Sequence, residues 1–197
     1  MESHFLRRCA TKLYKKMAIS WLEVLCEDRT QEQFVRAWIA TLSEKIRPKE
    51  LRFTIAPRSK GAASRFVLRE YSVLVKKLRS KNYIASRGLV VMIDGDNAGL
   101  LRRKRELDAI LSELNLSLRM PEERISILCP CWCIETWVRV LLGEPLEESL
   151  KIERFKANLL KSEVKLAASK FDAYRRRVNC RLDAMRDSDL ETKRIGI

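Results

Sequence analysis

Hydrophobic residues along the chain form short continuous runs that alternate with longer segments in which they recur every three or four positions. Such runs are typical of strands buried in a parallel sheet, and such segments are typical of amphipathic helices. The predicted strands are Ile19–Cys26, Leu51–Ala56, the apolar run that opens Leu89–Asn97, and Arg124–Leu128. Because a helical pattern follows each strand, we expect an α/β protein with a four-stranded parallel sheet flanked by helices.

The helices carry their own start and stop signals. Thr30, followed three residues later by Gln33, is a capping-box pattern that predicts the start of the first helix. Leu100–Leu114 is predicted to turn its leucines, Leu101 included, towards the core and its arginines mostly outwards. A further helix over Ile134–Leu142 is predicted to end at Gly143.

Three regions follow from this pattern. Residues 1–18 are predicted to form a basic N-terminal helix or arm, and residues 19–145 the α/β domain. Residues 146–197 are predicted to form a C-terminal helical extension, in which Glu147–Arg177 is one long charged helix.

The net charge of the chain indicates which kind of partner it binds. The 197 residues include 40 Lys+Arg against 26 Asp+Glu, which gives a net charge of +14. This balance favours a polyanionic partner, with nucleic acid first and an acidic membrane surface second. The 46% hydrophobic content excludes a disordered chain.

The N-terminus and the cysteines indicate the cellular compartment of the protein. The N-terminus lacks the uninterrupted apolar segment of a signal peptide, and no run approaches the length of a membrane span. We therefore expect a cytoplasmic protein with reduced thiols and no membrane partner. Cys129, Cys131 and Cys133 are expected to be buried or partly exposed thiols, because the single histidine, His4, cannot complete a four-ligand zinc site nearby.

Acidic residues follow three of the predicted strands. The Leu89–Asn97 stretch ends in Asp94-Gly95-Asp96, Glu27 follows the first strand and Glu135 follows the fourth. The carboxyl ends of parallel strands meet at one edge of a sheet, where such proteins bind ligands. Gathering carboxylates there is unfavourable without a compensating cation or proton, so the pattern indicates a Mg²⁺ or Mn²⁺ site. An ordinary Asp-Gly turn and, for Glu135, a helix-capping role are the alternatives.

The order VLCEDRTQEQFVRAW … LVVMIDGDNAG resembles the Toprim fold of topoisomerases, bacterial primases and overcoming-lysogenization-defect nucleases. The CIETWV segment is similar to a further Glu-containing segment of small stand-alone Toprim proteins linked to bacterial defence. The resemblance covers roughly Ser20–Gly143. It implies that Glu27 is the Toprim glutamate, that Asp94 and Asp96 are its Asp-x-Asp pair, and that Glu135 is an extra acid of the subgroup. The chain departs from many Toprim proteins in having Asp28 where they have glycine.

The resemblance implies a Toprim-like, Rossmann-like domain that acts as a Mg²⁺-dependent endonuclease on DNA or RNA, as the effector of a bacterial anti-phage defence system. Glu27, Asp94 and Asp96 would be catalytic, and the same three with Glu135 would hold the metal. Candidate phosphate-binding residues, for which a solvated position is the alternative, are Arg58, Lys60, Arg102, Arg103, Lys104 and Arg105.

Two other readings are weighed against the nuclease. The chain could be a non-catalytic Toprim-like nucleic-acid-binding or scaffold subunit, either a homo-oligomer or the partner of an ATPase that docks on Glu147–Arg177. A nucleotide-binding protein is disfavoured because the sequence contains neither G-x-G-x-x-G nor G-x-x-x-x-G-K-[ST].

Overall fold

A computed structural model describes most of the chain. The described residues are 19–44, 46–57, 63–80, 86–145, 159–177 and 182–197. The predicted N-terminal arm, residues 1–18, and the candidate phosphate ligands Arg58 and Lys60 lie outside them.

Four parallel strands form the sheet at the centre of the described part of the chain. They are β1 (Trp21–Cys26), β2 (Glu50–Ile55), β3 (Arg87–Met92) and β4 (Ile125–Leu128), in the order β2-β1-β3-β4. The prediction of an α/β fold with a parallel four-stranded sheet is confirmed, and the arrangement is Rossmann-like.

The strand order places the carboxyl ends of β1 and β3 side by side. Cys26, the last residue of β1, is in register with Met92, the last residue of β3. The connection after β1 leads to β2 on one side, and the connection after β2 leads back to β3 on the other. This reversal of direction is the position at which open α/β sheets form ligand-binding crevices.

Six helices flank the sheet within the described residues. They are α1 (Arg29–Thr41), α2 (Ala63–Ser80), α3 (Gly99–Glu113), α4 (Ile134–Leu142), α5 (Lys161–Arg175) and α6 (Asp183–Arg194). In this part of the chain, none of them combines the length and the apolar character needed to cross a lipid bilayer. The helix α4 ends at Gly143 as predicted, with a left-handed φ of 105° that suits glycine.

The start of α1 differs from the prediction. Asp28 is the N-cap, and its Oδ1 accepts a hydrogen bond from the backbone N–H of Gln31 at 2.9 Å. The capping pattern therefore begins at Asp28, two residues before Thr30, because Asp28 has extended backbone and can reach the free N–H groups of the first turn.

The core has one layer on each face of the sheet, and α5 belongs to the layer that contains α1 and α4. Phe171 of α5 is fully buried, with its ring centroid 5.4 Å from Phe34, 5.3 Å from Trp38 and 5.3 Å from Trp137. The C-terminal part of the chain therefore completes the core on this face.

The prediction of one helix over Glu147–Arg177 is wrong. Leu160 has extended backbone, and its N–H donates to Glu163 Oε2 at 2.7 Å, so α5 begins at Lys161. Residues 147–158 lie outside the described residues.

The last helix, α6, covers the edge strand β4. Glu191 is buried, and its Oε2 accepts the backbone N–H of Ile127 at 3.1 Å. Lys104 of α3 donates to Glu191 Oε1 at 2.8 Å and to Asp187 Oδ1 at 2.7 Å. A buried carboxylate thus satisfies a strand edge that would otherwise be open to another chain.

Two leucines of the Leu100–Leu114 segment depart from their predicted orientation. Leu101 is 68% exposed and Leu114 is 47% exposed, so their predicted inward positions are wrong, whereas Leu107 and Leu111 are buried as expected. Arg103 and Lys104 of α3 lie towards the rest of the protein, where each meets acidic partners.

Replacement of Phe171 tests whether α5 is part of the core. Phe171→Ala should lower the free energy of unfolding by about 3–5 kcal/mol, because it removes a fully buried ring and leaves a cavity. Leu166→Ala on the exposed side of α5 is the matched control and should change it by less than about 0.5 kcal/mol. Urea unfolding measures both, and equal effects would show that α5 does not pack as described.

Candidate functional site

Glu27 and Asp94 meet at the carboxyl edge of the sheet. Glu27 is the first residue after β1, and Asp94 is the second residue after the neighbouring strand β3. The backbone N–H of Asp94 donates to Glu27 Oε1 at 3.2 Å. Glu27 is 8% exposed and Asp94 is 9% exposed, so both carboxyl groups are largely removed from water. Together with Asp96 they form the acidic cluster.

Gln31 contacts the backbone of Glu27 and the carboxyl group of Asp94. This fully buried side chain accepts the backbone N–H of Glu27 through Oε1 at 2.8 Å and donates to Asp94 Oδ1 through Nε2 at 2.8 Å. Gln31 was not among the site residues predicted from the sequence. The signal was present, since Gln31 stands three residues after the N-cap Asp28, the spacing of a capping box.

Gly95 allows the segment after β3 to lie directly against the segment after β4. A Cβ atom on Gly95 would lie 2.0 Å from the backbone oxygen of Cys131. The Gly95 N–H donates to the Pro130 oxygen at 2.8 Å, and the Asp96 N–H donates to the Trp132 oxygen at 2.9 Å. Glycine is required here because of this close approach.

The backbone of Asp96, the residue after Gly95, has a left-handed conformation with a φ of 47°. Aspartate tolerates this conformation better than most residues, and such backbone positions are concentrated at functional sites.

Arg103 of α3 binds the outer part of the acidic cluster. Its Nε donates to the backbone oxygen of Asp94 at 2.9 Å, its Nη2 to Asp96 Oδ2 at 3.0 Å and its Nη1 to Glu106 Oε2 at 2.9 Å. The Arg103 side chain is only 12% exposed, whereas that of Asp96 is 44% exposed. Asp96 therefore pairs with Arg103, and Glu27 and Asp94 form the buried part of the cluster.

Burial and repulsion from neighbouring carboxylates shift the pKa values of the two buried acids. Burial raises the pKa of Glu27 to about 7, the Asp96 charge adds to the rise, and the Asp94 N–H and Arg103 oppose it. Burial also raises the pKa of Asp94, with further contributions from Glu27, Asp28 and Glu135, while the Gln31 hydrogen bond opposes it. The site therefore favours either a bound proton or a bound cation.

Glu135 lies in the first turn of α4, as the capping alternative predicts, and is half-buried. The Glu135 charge contributes to the raised pKa of Asp94. It also contributes, after burial, to the pKa of about 12 of the neighbouring Cys133 thiol. Glu135 thus borders the acidic cluster from the side of α4.

The cluster supplies the chemistry of a divalent-cation site without a complete set of ligands. Carboxylate oxygens are the donors that Mg²⁺ prefers. In the described part of the chain, however, no group of three or more His, Cys, Asp or Glu side chains is arranged to hold a metal ion. Glu27 and Asp94 are in place, and the third predicted ligand, Asp96, is held by Arg103.

The thiols nearest the cluster are mostly buried. Cys26, Cys129 and Cys133 are buried and Cys131 is half-buried, which confirms the expectation for the Cys129–Cys133 segment. Burial raises the pKa of the Cys26 and Cys129 thiols, so both are protonated at neutral pH.

The four predicted basic residues of α3 differ in their exposure to solvent. Arg102 and Arg105 are exposed, and Arg102 also pairs with Glu106 at 3.2 Å. Arg103 and Lys104 are half-buried in ion pairs with the acidic cluster and with α6. The exposed pair is available to solvent and to a polyanion.

The fold and the site define an α/β protein with a Rossmann-like parallel sheet and an acidic cluster at its carboxyl edge. No protein-family model matches the chain, and no curated protein or solved structure matches it.

The raised pKa of Glu27 makes stability depend on pH. The unfolded carboxyl group loses its proton near pH 4.5 and the folded one near pH 7, so the folded state binds more protons between these values. The Glu27 contribution to the free energy of unfolding must therefore fall as the pH rises from 4.5 to 7.

Glu27→Gln should remove this dependence. Relative to the wild type, the variant should gain on the order of 2–3 kcal/mol of unfolding free energy between pH 4 and pH 8, measured by urea unfolding across that range. Glu50→Gln, at an exposed position of β2, is the control and should show no such gain. A constant difference between Glu27→Gln and the wild type would contradict the raised pKa.

Gly95→Ala should destabilise the protein through steric overlap with the backbone at Cys131. We expect a loss of about 3 kcal/mol or more, at the upper end of overpacking effects. Gly99→Ala is the matched control, because Gly99 has a φ of 72° but no atom within 4 Å of its added Cβ. Its cost should stay near 1 kcal/mol. Thermal and urea unfolding compare the two variants. An equal loss of stability would contradict the steric overlap expected at Gly95.

Proposed function

We propose that this chain is a Toprim-type, metal-dependent nuclease that cleaves phosphodiester bonds in DNA or RNA. The observation that carries the proposal is the meeting of Glu27 and Asp94, two buried carboxyl groups on adjacent parallel strand ends, with Asp96 beside them. Their order along the chain, a glutamate after β1 and an Asp-x-Asp pair after β3, is the order that the Toprim resemblance implies.

The residues that would hold Mg²⁺ or Mn²⁺ are Glu27, Asp94 and Asp96, with Glu135 as a further acid at the border of the cluster. Their oxygen donors suit a hard cation, and the pKa of Asp94 is raised by burial first and by the charges of neighbouring carboxylates second. When bound, the cation would lower the pKa of a water molecule and offset charge on the phosphate.

Two side chains would assist the reaction, Gln31 by orienting Asp94 and Glu27 by binding the metal or accepting a proton. Gln31 holds Asp94 in one orientation through its Nε2 donor. Glu27, whose Oε1 lies beside the Asp94 backbone, would either complete the ligand set or accept a proton from the attacking water.

The substrate would be held by positive charge on the surface near the cluster. Arg102 and Arg105 are exposed on α3, the helix whose Arg103 contacts Asp94 and Asp96. The net charge of +14 favours any polyanion, so these residues would contribute affinity more than sequence preference. A cytoplasmic role as a bacterial anti-phage effector is the part of the proposal that rests on the Toprim resemblance.

One observation favours a second candidate, a non-catalytic scaffold subunit that binds nucleic acid, forms a homo-oligomer or partners an ATPase. Asp96 is paired with Arg103, and the described residues present no ready set of three metal ligands. The apolar side of α5 is buried inside the chain, so docking at Glu147–Arg177 would have to use other surfaces.

Divalent-dependent cleavage tests the nuclease proposal. The Asp94→Asn, Asp96→Asn double variant should cleave plasmid, single-stranded DNA and total tRNA at least about 100-fold more slowly than the wild type, because it removes two of the three acids. Chelation of the cation with EDTA should abolish wild-type cleavage. Asp183→Asn, on the exposed side of α6, is the control and should cleave normally.

Unchanged cleavage by the double variant would overturn the mechanism. Failure of the wild type both to cleave and to bind Mn²⁺ in calorimetry would favour the scaffold candidate, because a scaffold has no need to keep the cation site.

A further inference from the structure

Arg103 occupies the place where the acidic cluster would need positive charge. All three of its donor groups are used, on the Asp94 backbone oxygen, on Asp96 Oδ2 and on Glu106 Oε2. Arg102 and Arg105 on the same helix are exposed, so Arg103 is set apart from its basic neighbours by burial and by its contacts.

The ion pair between Arg103 and Asp96 is the most exchangeable of these contacts. Asp96 is 44% exposed, and ion pairs of such accessibility are weak because water screens them. The contacts of Arg103 with Glu106 and with the Asp94 backbone do not involve the Asp96 carboxylate. Arg103 could therefore stay in place when Asp96 leaves.

We infer that Arg103 is an internal counter-cation that holds the acidic cluster in a metal-free state, and that Asp96 exchanges from Arg103 to a divalent cation when one binds. This inference rests on the proposed function, since it concerns the same site. It accounts for the arrangement in which Glu27 and Asp94 are together while the third acid is turned towards α3. Arg103 and the cation then compete for Asp96, and Arg103 makes the site load only at higher cation concentration.

Calorimetric titration with Mn²⁺ tests the competition directly. Arg103→Gln should bind Mn²⁺ roughly tenfold more tightly than the wild type, because it frees Asp96 and removes a positive charge beside the cation. Arg105→Gln removes the same charge from an exposed position of α3 and should bind Mn²⁺ within about twofold of the wild type.

Arg103→Lys provides the second variant if Arg103→Gln does not fold. It keeps the charge but cannot donate in three fixed directions, so it should bind Mn²⁺ a few-fold more tightly than the wild type. An affinity equal to or weaker than that of the wild type, in whichever variant folds, would overturn the inference.

The pattern of results separates this inference from the proposed function. If the wild type binds Mn²⁺ and the Arg103 variants bind it no more tightly, the inference fails and the metal site stands. If neither the wild type nor any Arg103 variant binds Mn²⁺, the metal site and the inference fail together.

Discussion

The constraint on which the site depends is the burial of two carboxyl groups, Glu27 and Asp94, at the ends of adjacent parallel strands. The hydrogen bond from the Asp94 N–H to Glu27 Oε1 holds them together, and burial, with repulsion from neighbouring carboxylates, raises both pKa values. Such an arrangement destabilises the ionised protein unless a proton or a cation compensates it. The surrounding structure supplies part of that compensation through the Gln31 amide and the Arg103 guanidinium.

The fold keeps this unfavourable arrangement in place because its supports come from separate elements. Gln31 comes from the first turn of α1, Arg103 from α3, and Gly95 lies against the backbone of the segment after β4. The aromatic group around Phe171 and the contact of Glu191 with β4 secure the sheet on one face and at one edge. The well-packed sheet and helices thus hold the unfavourable arrangement of buried carboxyl groups in place.

Much of the framework follows from local patterns. Apolar runs and turn residues were enough to predict the four strands, and their parallel direction was enough to expect Glu27 and Asp94 at one edge. The contacts of Gln31 and Arg103 were not predicted because they depend on how α1 and α3 are rotated against the sheet, and apolar periodicity defines that rotation only approximately. Leu101 shows the error, since it was predicted to face the core and is exposed.

Glu27 and Asp94 are buried at the strand ends with raised pKa values, and NMR titration of the Glu27 side-chain carboxyl carbon tests this directly. We expect a pKa of about 7 for Glu27 in metal-free protein and a fall towards the ordinary value of 4.5, or below it, when Mg²⁺ is added. A pKa near 4.5 in the metal-free protein, or a pKa of about 7 that Mg²⁺ leaves unchanged, would contradict it.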